Sequence, residues 1–506
     1  MLPRCLLAIS AGSVVSLGLC GLAQAAAECG ALLKFSLPGT ALVIQKAELV
    51  AAGPMPAYCR VDGIIDAHKG RDGKDYGIRF AVAMPEQWNG RLLYQGGGGL
   101  NGSVTPPVGA VAAGDTPALG RGFAVVSSDS GHHGAVFDAS FLSDQQAALD
   151  FLYQSIGKVM TVARPLLAAH YAHPAAHSYF VGCSTGGREA MIAAQRYPRD
   201  FDGIVVGSPA MRTNYSNLAT RWVTTSLNSA APQDPQGRPI TAQALSASDR
   251  KLVIDGLLKS CDALDGVRDG MIFNVRGCGF DPHVLLCSGP KNDSCLSPEQ
   301  VRAIQRAFAG PKTTAGRQVY PGFLYDTGIA ATGRGIPGLL SGGTNPEGPS
   351  AKGVQMDVEA EAAVAHDARE MAGDTNAWTN LSSFTAHGGK LIFYHGASDP
   401  WFSALDTIDY YQRLGADNGP GPISNWSRLF VVPGMGHCGG GTATLDRFDM
   451  VSAIVAWVEQ GTAPEKVTAT GTAFPGRSRP LCPYPKYAKY RGSGNSELAE
   501  NFSCSD

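Results

Sequence analysis

Tyr179-Phe-Val-Gly-Cys-Ser-Thr-Gly-Gly-Arg-Glu-Ala-Met-Ile-Ala-Ala-Gln-Arg-Tyr-Pro198 is the stretch whose reading decides the fold. Tyr179-Phe-Val is a short apolar strand. The run from Gly187 reads as a helix, and Pro198 stops it. Between them lies Gly182-Cys183-Ser184-Thr185-Gly186, a G-x-S-x-G. Set between a strand and a helix, that pentapeptide makes a sharp elbow that lifts a serine Oγ above a sheet. In a chain with 63 glycines the pentapeptide alone is a modest signal. Its flanking strand and helix make it specific.

A serine hydroxyl is a weak nucleophile until a base takes its proton. His437-Cys438 supplies the candidate base. A cysteine flanks each of the two residues, and a Cys183–Cys438 disulfide would hold their Cα atoms within about 7 Å. Ser184 and His437 would then be neighbours. Asp399 ends Leu391-Ile-Phe-Tyr-His-Gly-Ala-Ser-Asp, where an apolar strand runs into a polar loop. It is the candidate acid to fix the imidazole tautomer. The order Ser184, Asp399, His437 is that of α/β-hydrolases. Oxyanion donors are expected from the Thr185 N–H and from Gly98 or Gly99 in the run Gly96–Gly99, which follows the strand Arg91-Leu-Leu-Tyr-Gln. His132, His133, His395, Asp129 and Asp326 compete for these roles. The histidines read as structural, because only His437 carries the cysteine tether; Asp129 reads as organising its turn, and Asp326 stays an alternative acid.

Strands and helices alternate over residues 26–210 and again over 381–506, which argues for a mostly parallel sheet covered on both faces. Gln145 to Tyr171 reads as one long helix capped near Ser143-Asp144. Residues 211–380 break the rhythm with many Gly, Ser and Pro and with two cysteine pairs. Lying between the nucleophile strand and the acid strand, they are expected to be a lid; an independent second domain is the other reading.

The charge balance is near even, 41 basic against 43 acidic residues, and does not point to nucleic acid or an anionic membrane as partner. Met1 to Ala25 reads as a cleaved signal peptide, with Arg4, an apolar Leu6–Leu22 and Ala23-Gln-Ala25. A secreted or periplasmic location follows. Without Cys5 and Cys20 of that leader ten cysteines remain, an even number in an exported chain. Spacings match no usual zinc pattern.

Cys261-Asp262-Ala-Leu-Asp265-Gly-Val267-Arg-Asp269-Gly-Met271 crowds three carboxylates onto a turn. A hard cation would relieve them, and a solvated acidic turn is the plainer reading. Arg334, in a Gly-rich loop, is a candidate partner for a free substrate carboxylate. Trp401 and Phe402 are candidates to sandwich an aromatic ring, with Tyr320 and Phe323 as weaker ones. For each of these, core packing or plain surface exposure is the competing reading.

Trp88-Asn-Gly90, Gly96–Gly99, Gly182-Cys-Ser-Thr-Gly-Gly-Arg188, Gly396-Ala-Ser-Asp399 and Gly434-Met-Gly-His-Cys438 together resemble the tannase and feruloyl esterase family over nearly all of the mature chain. The paired Cys-Ser and His-Cys elements are specific to it. The resemblance implies an α/β-hydrolase core with a large inserted lid domain. It implies a Ser184, Asp399, His437 triad tied by Cys183–Cys438. It also implies a structural lid calcium on the side chains of Asp262, Asp265 and Asp269 and the carbonyls of Val267 and Met271. With loop lengths it suggests the pairs Cys261–Cys278, Cys287–Cys295 and Cys482–Cys504, leaving Cys29–Cys59. The activity it implies is cleavage of aromatic carboxylic esters: hydroxycinnamoyl, galloyl or terephthaloyl half-esters, the last as in the family's mono(2-hydroxyethyl) terephthalate hydrolases. A calcium-stabilised binding protein on the same scaffold is the rival of another class. The oligomeric state is not readable.

Overall fold

In the computed structural model the described residues are 27–332, 336–341, 353–366 and 372–506. Nine strands form one sheet: β1 Leu42–Val50, β2 Tyr58–Lys69, β3 Asp75–Pro85, β4 Arg91–Gln95, β5 Ala124–Ser128, β6 His177–Cys183, β7 Gly203–Gly207, β8 Lys390–Gly396 and β9 Ser427–Val432. Their order is β1-β2-β3-β5-β4-β6-β7-β8-β9. The run from β5 to β9 is parallel. β1, β2 and β3 join it antiparallel. This is an α/β-hydrolase fold.

The central strands are buried on both faces, so they read as unbroken apolar runs. Alternate side chains nevertheless serve different layers. Leu92, Tyr94, Phe180, Ile204 and Val206 join the layer under the helices Ser155–Tyr171, Thr185–Arg196 and Ala404–Asp417. Leu93, Tyr179, Val181 and Val205 face the other way, toward Met450, Ile454 and Trp457 of the helix Met450–Gln460.

Register decides where chemistry can occur. Gln95 pairs with Val181, Cys183 with Gly207, Gly207 with Tyr394, and Gly396 with Val432. The carboxyl ends of β4, β6, β7, β8 and β9 therefore finish along one rim, where open α/β sheets carry their sites. The Gly96–Gly99 run, Ser184, Asp399 and His437 all follow these ends.

The expected long helix is interrupted. Asp144 caps Gln145–Leu149 through the Ala147 N–H at 3.0 Å, a π turn spans Asp150–Gln154, and Ser155–Tyr171 continues. Residues 211–380 leave the sheet after β7 and return at β8. They contain the helices Thr213–Asn228, Ala247–Cys261, Pro298–Ala309 and Val358–Ala365. Capping boxes at Ser246/Asp249 and Ser297/Gln300 start two of them. Their inward faces form a separate apolar cluster that includes Val223, Leu257, Ile304 and Phe308. Five disulfides pair all ten cysteines of the described residues as expected: Cys29–Cys59, Cys183–Cys438, Cys261–Cys278, Cys287–Cys295 and Cys482–Cys504. Among the described residues no helix is long and apolar enough to cross a membrane. The expected signal peptide, Met1 to Ala25, lies outside the described residues.

Candidate active site

Ser184 sits at the turn between β6 and the helix Thr185–Arg196, with φ 64° and ψ −123°. A non-glycine residue holds such a conformation only when its surroundings impose it. Here they do. A Cβ at Gly182 would lie 2.3 Å from the Gly186 carbonyl oxygen, and one at Gly187 would lie 2.2 Å from that of Gly207. The Ser184 N–H donates to Gly207 O at 3.1 Å. Strand, turn and helix interlock too closely for side chains.

His437 follows β9, and Cys183–Cys438 ties its loop to the elbow with a Cα separation of 6.0 Å. The two residues flanked by these cysteines are thereby held at one place. His437 Nδ1 lies 2.7 Å from Asp399 Oδ2. Asp399 is fully buried, and its Oδ1 accepts the N–H groups of Trp401 and Phe402 at 2.9 and 3.0 Å. Burial alone would raise its pKa. The adjacent His437 and the hydrogen bonds from His395 and His437 outweigh that and hold the carboxyl well below the usual carboxylate range.

The competing residues have other partners. His395 Nε2 is 3.0 Å from Phe402 O and 3.4 Å from Asp399 Oδ2, while its Nδ1 meets Thr407 Oγ1 at 2.9 Å. It backs the acid rather than facing the cavity. Asp326 Oδ2 accepts Ser398 Oγ at 2.7 Å and the Gly434 N–H at 2.6 Å, so it joins the loops that carry Asp399 and His437. Asp129 accepts the N–H groups of Arg79 and Gly131, both at 3.0 Å, which organises its turn. His132 stacks on Phe141 at 3.6 Å.

In the Gly-rich loop, the Gly96 N–H donates to Val181 O at 2.9 Å and the Gly97 N–H to Glu189 Oε2 at 2.9 Å. Among the described residues the N–H groups of Gly98, Gly99 and Thr185 have no such protein acceptor. Thr185 Oγ1 donates to Gly99 O, which fastens the loop beside Ser184.

A cavity of 270 Å³ opens onto Ser184 and is walled by Gly99, Thr185, Trp401 and Phe402. The Trp401 and Phe402 rings lie 5.1 and 5.2 Å from the His437 ring. Tyr320 stands behind this wall. It is buried, its hydroxyl accepts the Ser403 N–H at 3.1 Å, and the Arg212 guanidinium lies 5.1 Å from its ring. Phe323 is buried in the cluster of the inserted segment. Arg334 lies outside the described residues. Sequence reasoning missed three charged wall residues: Arg188, Arg212 and Asp374. Arg188 donates to the carbonyls of Leu152 and Phe151 at 2.8 and 3.0 Å, and Arg212 grips Asp406 with two hydrogen bonds. Only Arg188 carried a signal, as the end of the elbow motif.

The acidic turn is self-contained. Asp262 Oδ1 accepts the Asp269 N–H at 3.1 Å, Asp265 Oδ2 accepts that of Phe273 at 3.3 Å, and Asp269 Oδ2 meets Arg479. Burial, with Asp269 and Asp262 adding repulsion, pushes Asp265 up to about 7. The donors are right in kind for a hard cation. Among the described residues, though, no three acidic, histidine or cysteine side chains converge into a formed metal cage.

A family model described as tannase and feruloyl esterase matches residues 59–334 and 355–505. The chain is 38% identical to a mono(2-hydroxyethyl) terephthalate hydrolase of Piscinibacter sakaiensis, over 92% of this chain and 89% of that protein. It is 31% identical to a probable feruloyl esterase B-2 of Aspergillus terreus, over 83% of this chain and 81% of that one. The crystal structure of an esterase from Aspergillus oryzae superposes with a TM-score of 0.77 at 26% identity, covering 94% of this chain and 99% of that one.

Proposed function

The chain belongs to the tannase and feruloyl esterase family and is a carboxylic ester hydrolase; on that premise we propose that it cleaves esters of aromatic carboxylic acids through Ser184, His437 and Asp399. The observation that carries this reading is the 2.7 Å contact between His437 and Asp399, on a loop bonded covalently to the nucleophile elbow.

Ser184 Oγ attacks the ester carbonyl while His437 Nε2 takes its proton. Asp399 holds the Nδ1–H, which leaves Nε2 as the base and stabilises the imidazolium. The tetrahedral oxyanion accepts the Thr185 N–H and one from Gly98 or Gly99. His437 then protonates the leaving alcohol, and an acyl-Ser184 remains. Water attacks the acyl carbon, His437 takes its proton, and Ser184 leaves protonated as the aromatic acid departs. Trp401 and Phe402, beside His437, support an aromatic acyl ring in the cavity.

The names of the relatives leave terephthalate half-esters and hydroxycinnamates as the leading substrates. The test is acid release from methyl ferulate, methyl gallate and a terephthalate half-ester, with Ser184→Ala beside the parent protein. Activity on at least one ester, lost in Ser184→Ala, is expected. Retained activity in that variant would sink the assignment.

The expected leader and the five disulfides support export to an oxidising compartment. Residues 211–380, placed between β7 and β8 and supplying Arg212 and Asp374 to the cavity wall, suit a lid. Calcium at Asp262, Asp265 and Asp269, with the Val267 and Met271 carbonyls, would neutralise that turn and brace the segment.

A further inference from the structure

Glu189 is buried at the start of the second turn of the nucleophile helix, five residues after Ser184, and the mechanism above gives it no part. Its carboxylate meets donors only. Oε2 accepts the Gly97 N–H at 2.9 Å, and Oε1 accepts Asn101 Nδ2 at 2.6 Å and Ser130 Oγ at 2.7 Å. No Lys, Arg or His pairs with it among the described residues. Asn101 and Ser130 reach it from left-handed backbones, φ 57° and 63°, a conformation asparagine tolerates and serine rarely adopts. Both peptides of Gly97 are held, because its carbonyl, in the peptide that carries the Gly98 N–H, accepts the Gly186 N–H at 3.0 Å.

We propose that Glu189 is a positioning residue for the oxyanion hole: it captures the Gly97 N–H and so aims the next two N–H groups, those of Gly98 and Gly99, at the space above Ser184. The inference rests on the reading of Ser184 as nucleophile and of this loop as oxyanion donor. A flexible Gly run has no intrinsic reason to present its N–H groups in one direction. Here one peptide is pinned to the helix that begins at the nucleophile, so donors and nucleophile move as one body. Preorganised donors of this kind cost no reorganisation when charge develops in the transition state. The role needs an acceptor on Gly97, not a negative charge. Glutamine can supply one: its oxygen takes the Gly97 N–H, and a flip of the Asn101 amide turns Asn101 Oδ1, an oxygen that otherwise has no partner, toward the new NH2.

The test compares Glu189→Ala and Glu189→Gln for kcat, KM, inhibition by phenylboronic acid and inhibition by ferulic acid. The boronate forms a tetrahedral serine adduct that fills the oxyanion hole; the free acid does not. Glu189→Ala is expected to lower kcat by about tenfold to a hundredfold, less than outright loss of a donor. KM and the ferulate Ki should hold, while the boronate Ki rises with the loss in kcat. Glu189→Gln should recover most of both. Three results would overturn the proposal: an unchanged boronate Ki in Glu189→Ala, an equal weakening of boronate and ferulate, or a Glu189→Gln as impaired as Glu189→Ala. If Glu189→Ala does not fold, Asn101→Gly keeps the left-handed backbone and removes one of the three donors. It should then weaken boronate more than ferulate, and an equal effect on both would overturn the idea. Failure of the underlying reading looks different: the parent protein would ignore the boronate, and Ser184→Ala would stay active.

Discussion

At Asp399 two imidazoles approach one carboxylate oxygen, His437 at 2.7 Å and His395 at 3.4 Å, in a fully buried place. The carboxyl is held below its ordinary range, so it contributes stability above the unfolded pKa of about 3.9 and loses it as pH falls below that value. Thermal unfolding of the parent protein between pH 6 and pH 3 should therefore fall more steeply than that of Asp399→Asn; parallel curves would contradict the linkage. The same substitution should lower kcat by about 10⁴-fold, since an amide can stabilise the wrong imidazole tautomer. A loss under tenfold would move the acid role elsewhere.

Elements are locked together where backbones touch. The helix Thr185–Arg196 approaches β7 so closely that a methyl group at Gly187 would overlap the Gly207 carbonyl. Gly187→Ala should cost about 1–3 kcal/mol or more, read as a lower denaturant midpoint. A stability within 0.5 kcal/mol of the parent, the size of a neutral surface change, would show that the elbow can relax. Cys183–Cys438 spans 255 residues, and the chain-entropy model assigns such a crosslink roughly 5 kcal/mol, before native strain reduces it. Replacing both cysteines with serine should lower stability and kcat together, because the bond also positions His437. A variant less stable but fully active would limit the disulfide to stability.

On the scale of the whole molecule, the site is assembled from two regions of the sheet and an excursion between them. β4 and β6 bring the Gly-rich loop and Ser184, β8 and β9 bring Asp399 and His437, and residues 211–380 supply Arg212 and Asp374 to the cavity. The excursion has its own apolar cluster and two disulfides. If calcium holds its acidic turn, chelator should lower the melting temperature and added calcium should restore it. No change with either would leave the turn to Arg479 and its backbone hydrogen bonds.

The other four cysteine pairings came from the family resemblance and loop lengths; the central parallel strands, the elbow, the order of Ser184, Asp399 and His437, and the Cys183–Cys438 tether were legible in the chain. Each depends on short-range rules: apolar runs, glycines where backbones must touch, and cysteines beside the residues they tether. The antiparallel β1 and β2 were not anticipated, and the interruption at Asp150–Gln154 was not either. An edge strand and a π turn depend on what they pack against. Glu189, Arg212 and Asp374 were equally silent. A charged residue in a helix or loop reads as solvated surface until the fold buries it. The sequence by itself determined which side chains are able to do the chemistry. Only the tertiary structure decided which N–H groups remain free beside them, because that depends on partners far away in the chain.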